Sequence, residues 1–311
     1  MLKIVIIGRT ETLFKSMKVA IANGDKVVGI ITCKEAPEYK ITRKHYQQFA
    51  EINNIPFLTA TKLDTTEALS FLHKLEPPDV SISMNFSGII AKLVTDIFPL
   101  GILNAHGGDL PRYRGNACQA WAIINGEDRI GLCIHRMIGG ELDTGDIIAR
   151  SYFPLNINTQ IGEFHDWSNV EIPELFVTAL RHLNKNPKYI LERQSKDPKV
   201  ALRCYPRRPS DSRIDWNKSA IEILRLINAS GRPYSGAFST YKGEKVTISG
   251  AEITFLNEEY LAVPGQIARI DDDGSCVVIT GEGELRITRI NKDMKIKYPS
   301  SIITSLRDRL E

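Results

Sequence analysis

The chain has 311 residues, more than one typical domain contains, and 42% of them are apolar, enough to bury a sizeable core. Forty lysines and arginines stand against 37 acidic residues, and the formal net charge of +3 is too small to indicate a nucleic acid or an anionic membrane as partner. Composition therefore favours a two-domain protein with a small-molecule partner.

The cysteines and the apolar runs exclude two further classes of protein. The five cysteines are widely spread and form no Cys-x-x-Cys pair, so the sequence predicts neither a metal site nor a disulfide framework. Nowhere do about eighteen apolar residues follow one another, as a membrane-spanning helix requires. We therefore expect a cytoplasmic protein that binds no metal.

The first half of the chain alternates between two kinds of pattern. Residues 2–8, 26–32 and 79–84 are continuous β-rich runs, and residues 13–22 and 63–75 between them have helical spacing. Buried runs of this kind separated by helices are typical of parallel strands. The alternation predicts an α/β domain, a Rossmann-like and mostly parallel sheet with helices on both faces.

A fourth β-rich run, at residues 101–104, leads into a loop rich in glycine and arginine. A helical pattern at 117–125, a further strand at 130–137 and a long helix at about 174–183 follow that loop. The loop therefore lies at the carboxyl end of a strand, where open α/β sheets bind their ligands.

The pattern changes at residues 205–212, where proline, arginine and serine are concentrated as in a linker. This change divides the chain into a catalytic domain, 1–204, and a C-terminal domain, 205–311. The second part begins with a helical pattern and continues in short β-rich runs separated by glycine-containing turns, at 237–241, 245–255, 265–270, 275–280 and 284–290. We predict a small β-barrel-like domain, similar to an OB fold.

Three polar side chains have the types that acyl transfer to an amine requires. Asn104 and His106 are two residues apart, so on a strand they point to one side. Such a reaction needs a fixed donor for an oxyanion and a base for the proton that the attacking nitrogen loses. Asn104 is suited to the first role and His106 to the second. Asp143, in a glycine-flanked turn, is suited to orient His106 and stabilise its protonated form.

The surrounding motifs resemble a known superfamily, the formyl-tetrahydrofolate-dependent formyltransferases. Its signature is similar to Asn104-Ala-His106-Gly, followed by Leu110-Pro-Arg-Tyr-Arg-Gly115 and later Leu142-Asp143-Thr-Gly-Asp146. The C-terminal domain of its tRNA and sugar enzymes resembles residues 213–216, 233–238 and 264–265. The likeness thus covers nearly the whole chain.

The resemblance implies particular roles for residues near these motifs. The superfamily's catalytic residues fall on Asn104, His106 and Asp143, and its co-substrate is formyl-tetrahydrofolate. One departure is Gly108-Asp109, where many relatives have Ser-Leu, and the extra carboxylate is expected to influence cofactor contacts. The cofactor-binding residues implied by the resemblance are Gly88, Ile89, Ile90, Leu110, Pro111, Asn116, Gly139, Gly140, Glu141 and Leu142.

Other polar residues have simpler interpretations. Asp146 is best explained as a turn residue, and direct ligand binding by Arg112 and Arg114 is left open. Gly8 is not followed by the further glycines of a dinucleotide-binding loop, which argues against a nicotinamide dehydrogenase. Arg9 lies at the end of the first strand and is a candidate contact for a phosphate of the acceptor substrate. The remaining histidines, at positions 45, 73, 135, 165 and 182, have no partner pattern and are expected to be structural or exposed.

The second domain bears on which amine is formylated. Residues 206–311 contain 16 lysines and arginines and 15 acidic residues, a difference of +1, whereas a tRNA-binding domain should be clearly basic. Arg207-Arg208-Pro-Ser-Asp211 also resembles a stretch of sugar N-formyltransferases. We expect N-formylation of a nucleotide-linked amino-deoxy sugar for surface polysaccharide, without nucleic acid or membrane partners. Methionyl-tRNA formylation is the alternative, and a homodimer is left open. The intact Asn104, His106 and Asp143 argue against a folate-binding relative without catalysis.

Overall fold

The computed structural model describes residues 1–36, 39–256, 259–292 and 295–311. Contacts between residues divide the chain into two compact units. The first unit comprises Met1–Cys118, Ile130–Phe153 and His165–Cys204. The second comprises Gln119–Arg129, Pro154–Phe164 and Tyr205–Glu311. Two short segments that the sequence places in the catalytic domain therefore group with the C-terminal part of the chain.

The first unit is built on a mostly parallel sheet, as predicted. Its strands are β1 (Lys3–Gly8), β2 (Lys26–Thr32), β3 (Phe57–Thr59), β4 (Val80–Met84), β5 (Ile102–His106), β6 (Arg114–Gly115), β7 (Arg129–Arg136), β8 (Ile147–Pro154) and β9 (Arg203–Cys204). Seven of them form one sheet in the order β3-β2-β1-β4-β5-β7-β8, while β6 and β9 pair separately. The pairings from β3 to β5 are parallel, and β7 runs antiparallel to β5.

Helices cover both faces of this sheet because alternate residues of each strand point to opposite sides. Ile4 and Ile6 of β1 belong to one apolar cluster, and Val5 and Ile7 to another. The first cluster includes side chains of α1 (Glu11–Ala22), α2 (Arg43–Ile52) and α6 (Ile161–Lys185), and the second includes side chains of α3 (Thr66–Lys74) and α4 (Lys92–Thr95). A further helix, α5 (Cys118–Asn125), lies almost wholly in the second unit.

The long helix α6 begins about thirteen residues before the predicted start at residue 174. Pro173 lies inside it, although proline lacks the N–H that a helix interior uses. Phe164 and Ile172 before the proline are buried, as are Phe176 and Leu180 after it. Burial of apolar side chains along both parts of the helix outweighs the local preference for a break at the proline.

The second unit contains the predicted β-rich domain. A 3₁₀ helix, Pro209–Ser212, occupies the predicted linker, and α7 (Ala220–Ser230) follows it. The strands that follow are β10 (Ala237–Tyr241), β11 (Glu244–Thr254), β12 (Ile267–Ile270), β13 (Cys276–Ile279), β14 (Glu284–Lys292) and β15 (Lys295–Lys297). They form an antiparallel sheet in the order β10-β11-β14-β13-β12, with β15 paired to β14, and its inner face packs with α7 in a single apolar cluster. No helix in the described ranges is both long enough and apolar enough to cross a bilayer.

Candidate active site

One face of β5 and β7 brings together an amide and two imidazoles. Asn104 and His106 lie two residues apart on β5, and His135 of β7 pairs directly with Asn104. Paired residues of neighbouring strands point to the same face of a sheet. The alternate residues Leu103 and Ala105 pack into the core on the other face. The strand register therefore holds the three polar side chains in one row.

Asp143 reaches this row from the loop between β7 and β8. Its Oδ2 lies 3.6 Å from His106 Nδ1, and its Oδ1 lies 3.4 Å from His135 Nε2. The backbone N–H of Gly115 donates to Oδ2 at 2.9 Å, and Gln194 Nε2 donates to the Asp143 carbonyl at 3.0 Å. The carboxylate is thus held from several sides, with its side chain 9% exposed.

The protonation of these groups follows from their burial and neighbours. Burial lowers the pKa of His106, and the nearby His135 adds to that effect, while Asp143 opposes it. Burial by itself would raise the pKa of the Asp143 carboxyl, but His106, His135 and the Gly115 N–H hold it well below its ordinary value. At neutral pH the site therefore holds a carboxylate beside a His106 ring that is readily kept neutral.

Hydrogen bonds orient both the amide and the His106 ring. Asn104 Nδ2 donates to His135 Nε2 at 3.2 Å. His106 Nε2 donates to the Tyr113 carbonyl at 2.6 Å, because a carbonyl oxygen can only accept. In neutral His106 the nitrogen without a proton is then Nδ1, which faces Asp143. An amide has two N–H groups, so Asn104 keeps a second donor for a reacting oxygen.

His135, which the sequence analysis expected to be structural or exposed, lies in the row of polar side chains. It is 1% exposed and lies between Asn104 and Asp143. Its sequence position carries no motif, and the signal that identifies it is the antiparallel register of β5 and β7. Only a correct prediction of that strand pairing could have found it.

The two segments with predicted cofactor-binding residues meet beside the row. The backbone N–H of Gly140 donates to the Ile90 carbonyl at 2.9 Å. A Cβ at Gly139 would lie 2.3 Å from the Cα of Lys92, so only glycine fits there. Ile89 is 71% exposed, which leaves an apolar side chain facing outward where an aromatic ligand could pack. These features fit a folate.

The other predicted cofactor-binding residues differ in exposure. The Leu110 side chain is buried with Cys133 and Ile147, whereas Asn116 is exposed and its N–H donates to the Cys204 carbonyl at 3.2 Å. Gly88, Pro111 and Leu142 are partly exposed and Glu141 is exposed. In the described part of the chain, no group of three or more His, Cys, Asp and Glu residues is placed to hold a metal ion.

The arginines singled out in the sequence have partners of their own. Arg9 Nε donates to the Asn85 carbonyl at 3.0 Å, Nη1 donates to the Lys34 carbonyl, and the guanidinium lies over the Tyr39 ring. Arg9 thus joins the ends of β1, β2 and β4. Arg114 Nη2 donates to Gln194 Oε1 at 2.9 Å.

An α/β domain with this row of polar groups, followed by a small antiparallel domain, has the architecture of a two-domain formyltransferase. Residues 2–180 match the formyl transferase family, and residues 207–305 match the formyl transferase C-terminal domain. The chain belongs to the formyl transferase family and is a folate-dependent formyltransferase.

The relatives carry two kinds of description. The methionyl-tRNA formyltransferase of Sulfurihydrogenibium sp. (strain YO3AOP1) is 30% identical over 313 residues, spanning 99% of this chain and 96% of that protein. The methionyl-tRNA formyltransferase of Desulfotalea psychrophila is 28% identical over 298 residues, spanning 94% and 89%. An N-formyltransferase structure from Helicobacter canadensis, described in complex with folinic acid and dTDP-3-aminofucose, has a TM-score of 0.68 at 20% identity over 92% of this chain and 99% of that one. At that identity the likeness shows the fold.

Proposed function

We propose that this enzyme transfers the formyl group of formyl-tetrahydrofolate to the primary amine of a nucleotide-linked amino-deoxy sugar. The amine nitrogen attacks the formyl carbon directly and forms the new C–N bond. The carbonyl oxygen carries the resulting negative charge until the C–N bond to tetrahydrofolate breaks and that nitrogen takes up the proton that the base accepted from the amine. Three of the protein's groups fit the demands of these steps.

Each group has a separate task in this proposal. The free N–H of the Asn104 amide donates to the developing oxyanion, and His135 holds the amide in the orientation that permits this. His106 accepts the amine proton at Nδ1. The resulting imidazolium donates to the Tyr113 carbonyl at Nε2 and faces the Asp143 carboxylate at Nδ1, which stabilises its charge.

The near-neutral charge of residues 206–311 is the observation that favours a small acceptor over tRNA. Residues 206–311 contain 16 basic and 15 acidic residues, a difference of only one. Several of the basic residues are already engaged: Arg286 contacts Glu252, Asp271 and Asp273, and Lys292 contacts Glu244. Binding of tRNA needs cations that neutralise several phosphates. A small acceptor with one diphosphate makes a much smaller demand on the enzyme.

Arg207 belongs to the linker stretch that resembles sugar N-formyltransferases, and its side chain contacts other residues of the second unit. Arg207 Nη2 lies 3.3 Å from the hydroxyls of Ser212 and Ser230, and its guanidinium lies over the Trp121 ring. Through these contacts Arg207 fastens the 3₁₀ helix to other residues of the second unit. The acceptor proposal therefore rests on charge.

Methionyl-tRNA formylation is the second candidate function. The observation in its favour is the description of the sequence relatives, which align with nearly the whole chain at 28–30% identity and are named methionyl-tRNA formyltransferases. An identity of 28–30% over both domains identifies the family, and membership of that family is common to both candidates. The two candidates make different predictions for catalysis and for salt dependence.

A side-by-side assay tests the acceptor. The enzyme is given formyl-tetrahydrofolate with dTDP-, UDP- or GDP-linked amino sugars, or with methionyl-tRNA, at several salt concentrations, and Asn104→Ala serves as the control for this active site. We expect formylation of an amino sugar with a shallow dependence on salt, because few phosphates are neutralised. Efficient formylation of the charged tRNA without reaction of any sugar would overturn the acceptor proposal and leave the catalytic roles intact.

A further inference from the structure

A buried arginine on β8 binds the loop that follows β5. This loop, residues 107–113, is called the His106 loop. The Arg150 side chain is 8% exposed, and its Nη1 forms a salt bridge with Asp109 of that loop. Its Nη2 donates to the Leu110 carbonyl at 2.7 Å and to Glu192 Oε2 at 3.0 Å. One planar guanidinium thus binds a side chain and a backbone carbonyl of the same loop.

The same loop packs directly against the His106 ring. Its Tyr113 carbonyl accepts the hydrogen bond of His106 Nε2 at 2.6 Å. A Cβ at Gly108 would lie 2.3 Å from that carbonyl oxygen and 2.6 Å from Nε2, which shows how closely the loop backbone approaches the ring. Beneath the loop, a Cβ at Gly131 of β7 would lie 2.5 Å from the Cα of Asp109. A shift of the loop would therefore move the partner of His106.

We propose that Arg150 is a positioning residue for formyl transfer, because it holds the His106 loop in the place where the Tyr113 carbonyl orients the His106 ring. The inference rests on the proposed role of His106 as the base. Asp109, the carboxylate by which this chain departs from many relatives, and Glu192 together supply the negative charge that a buried guanidinium needs.

The shape of the guanidinium matters as well as its charge. A guanidinium presents several N–H groups in one plane and binds two acceptors in fixed directions, whereas a lysine ammonium is a single point of charge. Arg150→Lys keeps the charge but cannot reproduce both loop contacts. Arg150→Met removes both. Glu192→Gln is the matched control, because it alters the third partner of the same guanidinium and leaves the loop contacts in place.

The kinetic test compares kcat with saturating substrates, at a temperature where circular dichroism shows each variant to be folded. Misplacement by about 1 Å costs roughly 10²-fold in rate, so we expect the kcat of Arg150→Met to fall roughly 10- to 10²-fold and that of Arg150→Lys to lie between Arg150→Met and the wild type. The Glu192→Gln variant should stay within about twofold of wild type, because both loop contacts remain. A lowered melting temperature with an unchanged kcat would overturn the proposal.

A second readout needs no acceptor substrate, and so separates this proposal from the choice of acceptor. In ¹⁵N-labelled enzyme the His106 Nε2–H signal, identified by its loss in His106→Gln, reports the bond to Tyr113. We expect Arg150→Met, or Arg150→Lys if the methionine variant does not fold, to lose or shift this signal, and Glu192→Gln to retain it. An unaltered signal in the folded Arg150 variants, or equal loss in Glu192→Gln, would refute the positioning role.

Discussion

Replacing Asp143 with asparagine is the most direct test of how the site handles a proton. The substitution keeps the size of the side chain. In the unsubstituted protein the Gly115 N–H donates to Asp143 Oδ2 at 2.9 Å, and an amide oxygen can accept the same hydrogen bond. What is lost is the negative charge 3.6 Å from His106 Nδ1. In the proposed mechanism that charge matters most after His106 has accepted the proton. The variant should therefore lose turnover with little change in KM.

The distance sets the size of the expected effect. Two unit charges 3.6 Å apart in surroundings with an effective dielectric constant of about 20 attract each other by roughly 4–5 kcal/mol. Since about 1.4 kcal/mol corresponds to a tenfold change in rate, the ceiling on the loss is roughly 10³-fold. Burial already lowers the pKa of His106, and loss of Asp143 lowers it further, so the ring becomes a weaker base.

The assay is steady-state formyl transfer, with kcat and KM measured for wild type, Asp143→Asn and Asp146→Asn. Asp146 lies in the same loop and serves as the matched control for a change from carboxylate to amide. The double variant of His106→Gln with Asp143→Asn should be little worse than the poorer single one, because the two residues act as one unit. A loss smaller than about tenfold in Asp143→Asn, or multiplied losses in the double variant, would refute this reasoning.

Two further outcomes are expected at the same site. Asn104→Ala should lower turnover by roughly 10²–10³-fold, the usual cost of one oxyanion donor, while folate still binds in a fluorescence titration; a loss of only a few-fold would remove Asn104 from the mechanism. The folded pKa of Asp143 lies below that of an unfolded aspartate, so its stabilising contribution is present above about pH 4 and is lost as the pH falls further. Urea unfolding at about pH 7 and about pH 3 should then show a larger loss of stability for wild type than for Asp143→Asn, and equal losses would contradict the pKa direction.

Local pattern in the sequence was enough to predict the central strands and the row of Asn104 and His106. Strands β1, β2, β4, β5 and β7 lie within two residues of their predicted ends. The period of two along a strand decides which side chains share a face, and this period can be read without knowing the neighbours. The β-rich second part was predicted for the same reason.

Local pattern was less informative where few apolar residues contribute. Helix α2 has a polar composition and buries only Tyr46 and Ala50, and strand β3 has only three residues, so neither contains a conspicuous apolar run and the sequence analysis did not predict them. The first half of α6 was missed for a different reason. Pro173 predicts a break in the helix, but burial of apolar side chains on both sides of it outweighs that local preference. Short segments that pack with a distant part of the chain, such as 119–129 and 154–164, are equally invisible in a linear pattern.

The sequence by itself determined which residues of each strand point to one side, and its motifs identified the family. Only the tertiary structure decided that His135 lies beside Asn104, 31 residues away, and that Asp109 binds Arg150, 41 residues away. Those contacts depend on which strands become neighbours and in which register. Neighbours and register are set by packing and hydrogen bonding between distant segments, and the periodicity of one strand contains no information about its partner.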